Sequence, residues 1–173
     1  MIKVAKFGGS SVAGAEQFKK VRAIIEADPE RRLVVSSAAG KRFGDDHKLT
    51  DLLYLCHAHL TYGVSCGEIM HTIEQRLVEI RDSLGLKYPV ERELEELKAR
   101  LNRDMSVDEL VSRGEYFTSR LLAEYLGFAF VDAADCIFFG FDGQIDREKT
   151  DAAIAAAIME YKKILIPGFY GKL

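Results

Sequence analysis

The sequence predicts an α/β fold layered about a mostly parallel sheet. Two observations carry this expectation. Short apolar runs rich in β-branched residues alternate with segments whose apolar residues recur at helical spacing. A strand–helix–strand unit stands at each end of the chain, and such a unit sets two parallel strands side by side with a helix crossing between them.

Residues 2–7 read as a strand ending in Gly8-Gly9, and Phe18, Val21 and Ile25 then recur at helical spacing within 14–28, with Pro29 just beyond. Leu33-Val34-Val35 reads as the second strand. The glycines and charges of 40–48 mark an exposed, mobile loop, with Asp45-Asp46 as an exposed pair. Thr50 stands where it could cap a helix carrying Leu53, Cys56 and Leu60. Residues 67–84 align Ile69, Ile73, Leu77, Ile80 and Leu84 on one stripe. Residues 91–103 set Leu94, Leu97 and Leu101 among charges, too few heptads for a coiled coil, so this is a solvated helix. Ser106-Val107-Asp108-Glu109 is a capping box for a helix that stops at Gly127. Phe128–Val131 is a third strand, Cys136–Phe139 another short one, Asp151–Tyr161 an alanine-rich helix, and Ile164–Ile166 a last strand ending at Pro167-Gly168.

The 173 residues suit one domain and can bury a core without disulfides or metals. With 24 basic against 27 acidic residues the net charge is −3, which excludes a strongly cationic nucleic-acid binder and an electrostatic membrane anchor. At 48% apolar and 29% charged the chain is not disordered. No apolar run approaches the ~20 residues of a membrane span, and the first residues lack the pattern of a signal peptide. The 3 cysteines form no CxxC pair, so free thiols in a reducing cytosol are expected, and the chain reads as cytoplasmic. His57 and His59 are two apart on a predicted helix and face away from each other, and no protein metal site is expected.

In parallel sheets ligands bind beyond the carboxyl ends of the strands. That rule singles out the junctions 6–11, 36–41, 131–135 and 167–171, all rich in small or polar residues. At the first of them two glycines let the backbone turn sharply, free amides at the next helix start attract an anion, and Lys6 adds a cation suited to a transferring phosphoryl group. A plain turn with a solvated lysine would give the same pattern. Neither the P-loop nor the Rossmann glycine fingerprint occurs.

Lys6-Phe7-Gly8-Gly9-Ser10-Ser11-Val12 resembles the opening Lys-Phe-Gly-Gly-Thr-Ser-Val motif of aspartate kinases, with Ser10 in place of the usual threonine. Val34-Val35-Ser36-Ser37-Ala38-Ala39-Gly40-Lys41 is similar to that family's Val-Val-Ser-Ala-x-Gly-Lys segment, followed by Thr50-Asp51 after a stretch longer than in many members. Leu110-Val111-Ser112-Arg113-Gly114-Glu115 resembles Leu-Val-Ser-x-Gly-Glu, and Pro167-Gly168-Phe169-Tyr170-Gly171 resembles Pro-Gly-Phe-x-Gly.

The resemblance implies the three-layer α/β/α sandwich of the amino-acid-kinase superfamily. It implies transfer of the γ-phosphoryl of ATP, carried with Mg²⁺, to the side-chain carboxylate of L-aspartate, at the entry to lysine, threonine and methionine synthesis. By the same resemblance Lys6 stabilises the transition state, Gly8, Gly9 and Ser10 cradle the phosphates, Ser37 and Thr50 lie near bound aspartate, and Glu115 grips its ammonium group. Taken singly, Glu115 could be a solvated helix carboxylate, Thr50 a plain helix cap and Ser37 a strand-end hydroxyl. The resemblance further implies that residues 1–173 are the N-terminal part of the kinase domain, lacking its nucleotide-binding half and regulatory domains, inactive alone, and associating into a homo-oligomer through uncovered apolar surface. Two other readings stay open: a different amino-acid kinase, acting on acetylglutamate, glutamate, carbamate or a nucleotide, and a non-catalytic binding module with the same fold.

Overall fold

The computed structural model describes residues 1–173. Four strands, β1 (Lys3–Phe7), β2 (Arg31–Ser36), β3 (Ala129–Phe130) and β4 (Ile164–Pro167), form one sheet in the order β1-β2-β4-β3 with every pairing parallel. The helices are α1 (Ala15–Glu26), α2 (Leu49–Thr61), α3 (Gly67–Ser83), α4 (Val90–Arg100), α5 (Val107–Leu126), α6 (Ala133–Cys136) and α7 (Arg147–Tyr161), with a 3-10 turn over Gly9–Val12. No helix is long and apolar enough to cross a membrane.

Alternation along the strands divides the core between two faces. Phe7, Val34 and Leu165 pack with α1–α5 in a cluster of 30 buried residues, while Leu33, Ile164 and Ile166 pack with α6 and α7 in a cluster of 5. The expected three-layer α/β/α sandwich is therefore present and lopsided. On the thin side Val4 is 63% exposed, because α7 packs on β4 and leaves the edge strand β1 bare.

The long helices follow their sequence cues. Ser106 caps α5 by accepting the Glu109 N–H at 3.1 Å, and Gly127 closes it in the left-handed region at φ 67°. The stripe expected on α3 buries Ile73, Leu77 and Ile80. All three cysteines are buried free thiols.

Three expectations need correction. Cys136–Phe139 is not a strand, because Asp132 accepts the Ala134 N–H at 3.0 Å and starts the one-turn helix α6, after which Phe138 and Phe139 make only single bridges. Thr50 does not cap α2: Lys48 holds the cap position, and the Leu49 N–H bonds to the Ala39 carbonyl at 3.0 Å. The 40–48 segment is a fastened strap rather than a free loop. Asp46 is buried, accepting the Arg42 backbone N–H at 2.9 Å and the Arg42 guanidinium at 2.8 and 3.1 Å. Arg76 of α3, also buried, donates to the Gly40 carbonyl at 2.7 Å and to the His47 carbonyl. These cations hold the Asp46 carboxyl far below the ordinary carboxylate range.

The ends of β1 and β2 meet backbone on backbone. Gly40 donates its N–H to the Gly9 carbonyl at 2.9 Å, and a Cβ at Gly40 would lie 2.6 Å from the Gly9 carbonyl carbon. At Gly8 the space is open. Gly40→Ala should therefore lower the unfolding free energy by about 2 kcal/mol, since neither backbone can yield, while Gly8→Ala should stay within about 0.5 kcal/mol. Urea unfolding of the two variants checks this, and equal midpoints would refute the close approach.

Candidate active site

A cavity of about 480 Å³ opens at the rim beyond β1 and β2. Gly9 and Ser10 of the first turn form one wall, and Ser37, Ala38 and Gly40 of the second form another. Lys41 and Lys48, at the two ends of the strap, close a third side with Thr50 from the first turn of α2, and Glu115 of α5 borders it as well.

Glu115 reaches this place because α5 runs against the second turn without a side chain at Gly114. A Cβ there would stand 3.0 Å from the Ala38 Cβ and 3.2 Å from Leu53 Cδ1. One turn along, the Thr118 hydroxyl donates to the Gly114 carbonyl at 2.8 Å and accepts the Ala39 N–H at 3.1 Å, which ties helix to turn. Glu115 is 6% exposed, and its Oε2 is buried with no hydrogen-bond partner. Burial pushes its carboxyl up from the usual range, partly offset by the Ala38 backbone. An orphaned carboxylate oxygen at a polar cavity has the character of a receptor for a cation.

The cavity brings together five of the residues singled out in the sequence: Gly9, Ser10, Ser37, Thr50 and Glu115. Gly8 and Lys6 do not border it. Gly8 is extended, at φ −76° and ψ 169°, and leads into the 3-10 turn by accepting the Ser11 N–H at 2.9 Å. Lys6 alternates with the buried Phe7 and so lies on the bare, thin side of the sheet, solvent-exposed and without an acidic partner. The cavity also recruits Lys41, the last residue of the Val34–Lys41 motif, and Lys48, a loop charge whose only signal was its place two residues before Thr50. The other two junctions close on each other instead. Tyr170 donates its hydroxyl to Asp132 Oδ1 at 2.9 Å, and the Arg113 guanidinium stacks on Tyr116 and Tyr170 at 4.8 and 5.3 Å.

This cleft at the carboxyl ends of a parallel sheet matches known proteins. The model of the amino acid kinase family covers residues 1–172. The chain belongs to the amino acid kinase family. It is similar to aspartokinase 3 of Bacillus subtilis (strain 168), 35% identical over 138 residues that make up 76% of this chain and 30% of that protein. It is also similar to the chloroplastic aspartokinase 2 of Arabidopsis thaliana, 33% identical over 133 residues, 71% of this chain and 24% of that protein. The crystal structure of Clostridium acetobutylicum aspartate kinase superposes with a TM-score of 0.92 at 43% identity, covering 98% of this chain and 39% of that one. That of E. coli aspartokinase III in complex with aspartate and ADP gives 0.79 at 25% identity, covering 99% and 41%. The chain thus spans about a third of the length of the relatives it matches.

Burial of Glu115 has a signed consequence. Its folded carboxyl holds a proton more tightly than the unfolded chain does, so the stability tied to the neutral form is present at low pH and is lost as pH rises through the raised value. Glu115→Gln removes this dependence. In urea unfolding, the variant's stability relative to the parent should grow from about pH 4 to about pH 7. A difference that stays constant with pH would contradict the assignment.

Proposed function

We propose that residues 1–173 are the N-terminal part of the catalytic domain of an aspartate kinase, the part that binds the phosphoryl acceptor. In the whole enzyme, ATP carried with Mg²⁺ gives its γ-phosphoryl to the side-chain carboxylate of L-aspartate, forming 4-phospho-L-aspartate. The observation that carries this reading is the unpartnered Glu115 oxygen beside a polar cavity. The ammonium group of an amino acid supplies the missing partner, and the Ser37 and Thr50 hydroxyls stand on the same cavity to orient the rest of the molecule. The similarity to aspartate kinases, one of them solved with aspartate and ADP, supports the same substrate pair.

The chemistry asks little of the protein beyond positioning. A side-chain carboxylate with a pKa of ~3.9 is already a nucleophile near neutral pH, so no general base is required. The difficulty is bringing two anions together. The amides of the Gly8–Ser10 turn hold the phosphates, and Lys6, on the bare side of the sheet, meets the developing charge from the donor side. Mg²⁺ arrives with the ATP phosphates as part of the substrate, in keeping with a hard cation that takes few protein ligands. The reading extends to a cytoplasmic enzyme acting as a homo-oligomer, with the uncovered β1 edge, where Ile2 and Val4 are exposed, as surface available for association.

Titration of the ¹⁵N-labelled chain tests this reading. L-Aspartate should shift the amides of Ser37, Thr50 and Glu115, and Glu115→Gln should weaken its binding about ten-fold or more. Lys6→Ala should leave the aspartate affinity of residues 1–173 within about two-fold, the two positions lying on different faces, while lowering turnover of the whole enzyme about a hundred-fold or more. Undiminished aspartate binding by Glu115→Gln would overturn the assignment.

A further inference from the structure

Cys56 and Cys66 take no part in the cavity beyond β1 and β2. Both are free thiols buried in the larger core cluster. Cys56 lies on the inner face of α2, and Cys66 holds the cap position of α3. The chain brings them together by doubling back after α2. The Val64 N–H bonds to the His59 carbonyl at 2.8 Å, and His59 Nδ1 donates to the Ser65 carbonyl at 2.9 Å. His59 stands one turn along α2 from Cys56, so Ser65 is fastened there and Cys66 follows it. From that point α3 packs back against α2. The two sulfurs face each other, the Cys66 sulfur lying within hydrogen-bonding reach of the Cys56 thiol. Burial, with Cys66 beside it, pushes the Cys56 thiol up to about 12, so Cys56 keeps its proton and does not react first.

We propose that Cys56 and Cys66 are a redox-active dithiol, a modification site that hydrogen peroxide closes to an intrachain disulfide. Position sets the order of events. Within residues 61–68 Cys66 is the one buried residue, and its neighbours on both sides are exposed. Opening of that short segment alone brings its sulfur to a small oxidant. An anionic sulfur there also meets the positive end of the α3 dipole, where no side chain caps the helix. The Cys66 sulfur attacks one peroxide oxygen and the O–O bond breaks. The departing hydroxide takes up the proton that Cys66 gave up and leaves as water, and the sulfur becomes a sulfenic acid. Cys56 then attacks that sulfur with loss of its own proton. The S–S bond forms, the S–O bond breaks, and a second water leaves. Two thiols and one hydrogen peroxide give one disulfide and two waters, and a small thiol reverses the bond by exchange.

The disulfide would join the two helices that position the strap, since α2 begins at the bond from Leu49 to Ala39 and α3 carries Arg76. The sulfurs already face each other, so closure ties these helices as they stand and stiffens the fold. Cys136 supplies the contrast. It is buried on the opposite face of the sheet, in a cluster with no second cysteine, and its thiol donates to the Asp132 carbonyl at 3.4 Å.

Exposure of the folded chain to hydrogen peroxide, followed by peptide mapping, tests the proposal. The chain should lose about 2 Da, carried by one linkage between the peptides that hold Cys56 and Cys66, and dithiothreitol should restore the mass. Cys136 should stay reduced. The oxidised chain should melt about 5 °C or more above the reduced one. In Cys56→Ala, dimedone should trap the sulfenic acid at Cys66, whereas Cys66→Ala should give no adduct at Cys56. The parent chain alone decides the outcome, whether or not the variants fold. If no linkage between Cys56 and Cys66 forms, if it forms only in urea, or if it lowers the melting temperature, the two sulfurs are not a native pair and the proposal is overturned.

Discussion

The contact on which the site depends is the meeting of two backbones, at Gly9 and Gly40. Parallel strands leave their carboxyl-end loops side by side, and ordinarily side chains hold such loops apart. Here neither residue has one, and an amide of one turn bonds directly to a carbonyl of the other. Everything around the cavity is referenced to this joint. The Gly40 carbonyl receives Arg76 from α3, Ala39 binds both Thr118 of α5 and the first amide of α2, and Ala38 lies against Gly114. Three helices, two of them remote in sequence, are thus keyed to one short piece of chain. The hydroxyls and charges they carry arrive together because the glycines permit contact closer than any side chain would.

The charges of the site are held in unequal ways, and the inequality suits binding. Asp46 is buried but saturated with cationic donors, so it serves the architecture of the strap. Glu115 is buried and left with an idle oxygen. Burial opposes its ionisation, so the fold carries a group that lowers its own stability at neutral pH, the usual mark of a position kept for a ligand.

The two faces of the sheet differ as much as the two carboxylates. The α1–α5 face carries most of the core and one side of the cavity, while the opposite face is covered only where α6 and α7 reach. Lys6 belongs to the uncovered part.

Much of this was written in local chemistry. Helical spacing, the Ser106 capping box and the Gly127 stop set α3 and α5, and β-branched runs set β2 and β4, because these signals act within a few residues. The motif residues Gly9, Ser10, Ser37, Thr50 and Glu115 were legible as a set, and they share one cavity. Three features were decided only by tertiary contact. The 40–48 segment looks like any charged loop until Arg76, on a distant helix, reaches its carbonyls and Asp46. Thr50 looks like a cap until Ala39 takes up the first amide of α2. Lys41 and Lys48 look like solvated charges until the strap, so fastened, delivers them to the rim where Glu115 waits unpaired. Sequence determined the elements because their causes are local. The fold decided which charges face one another, because that depends on contacts between residues far apart along the chain.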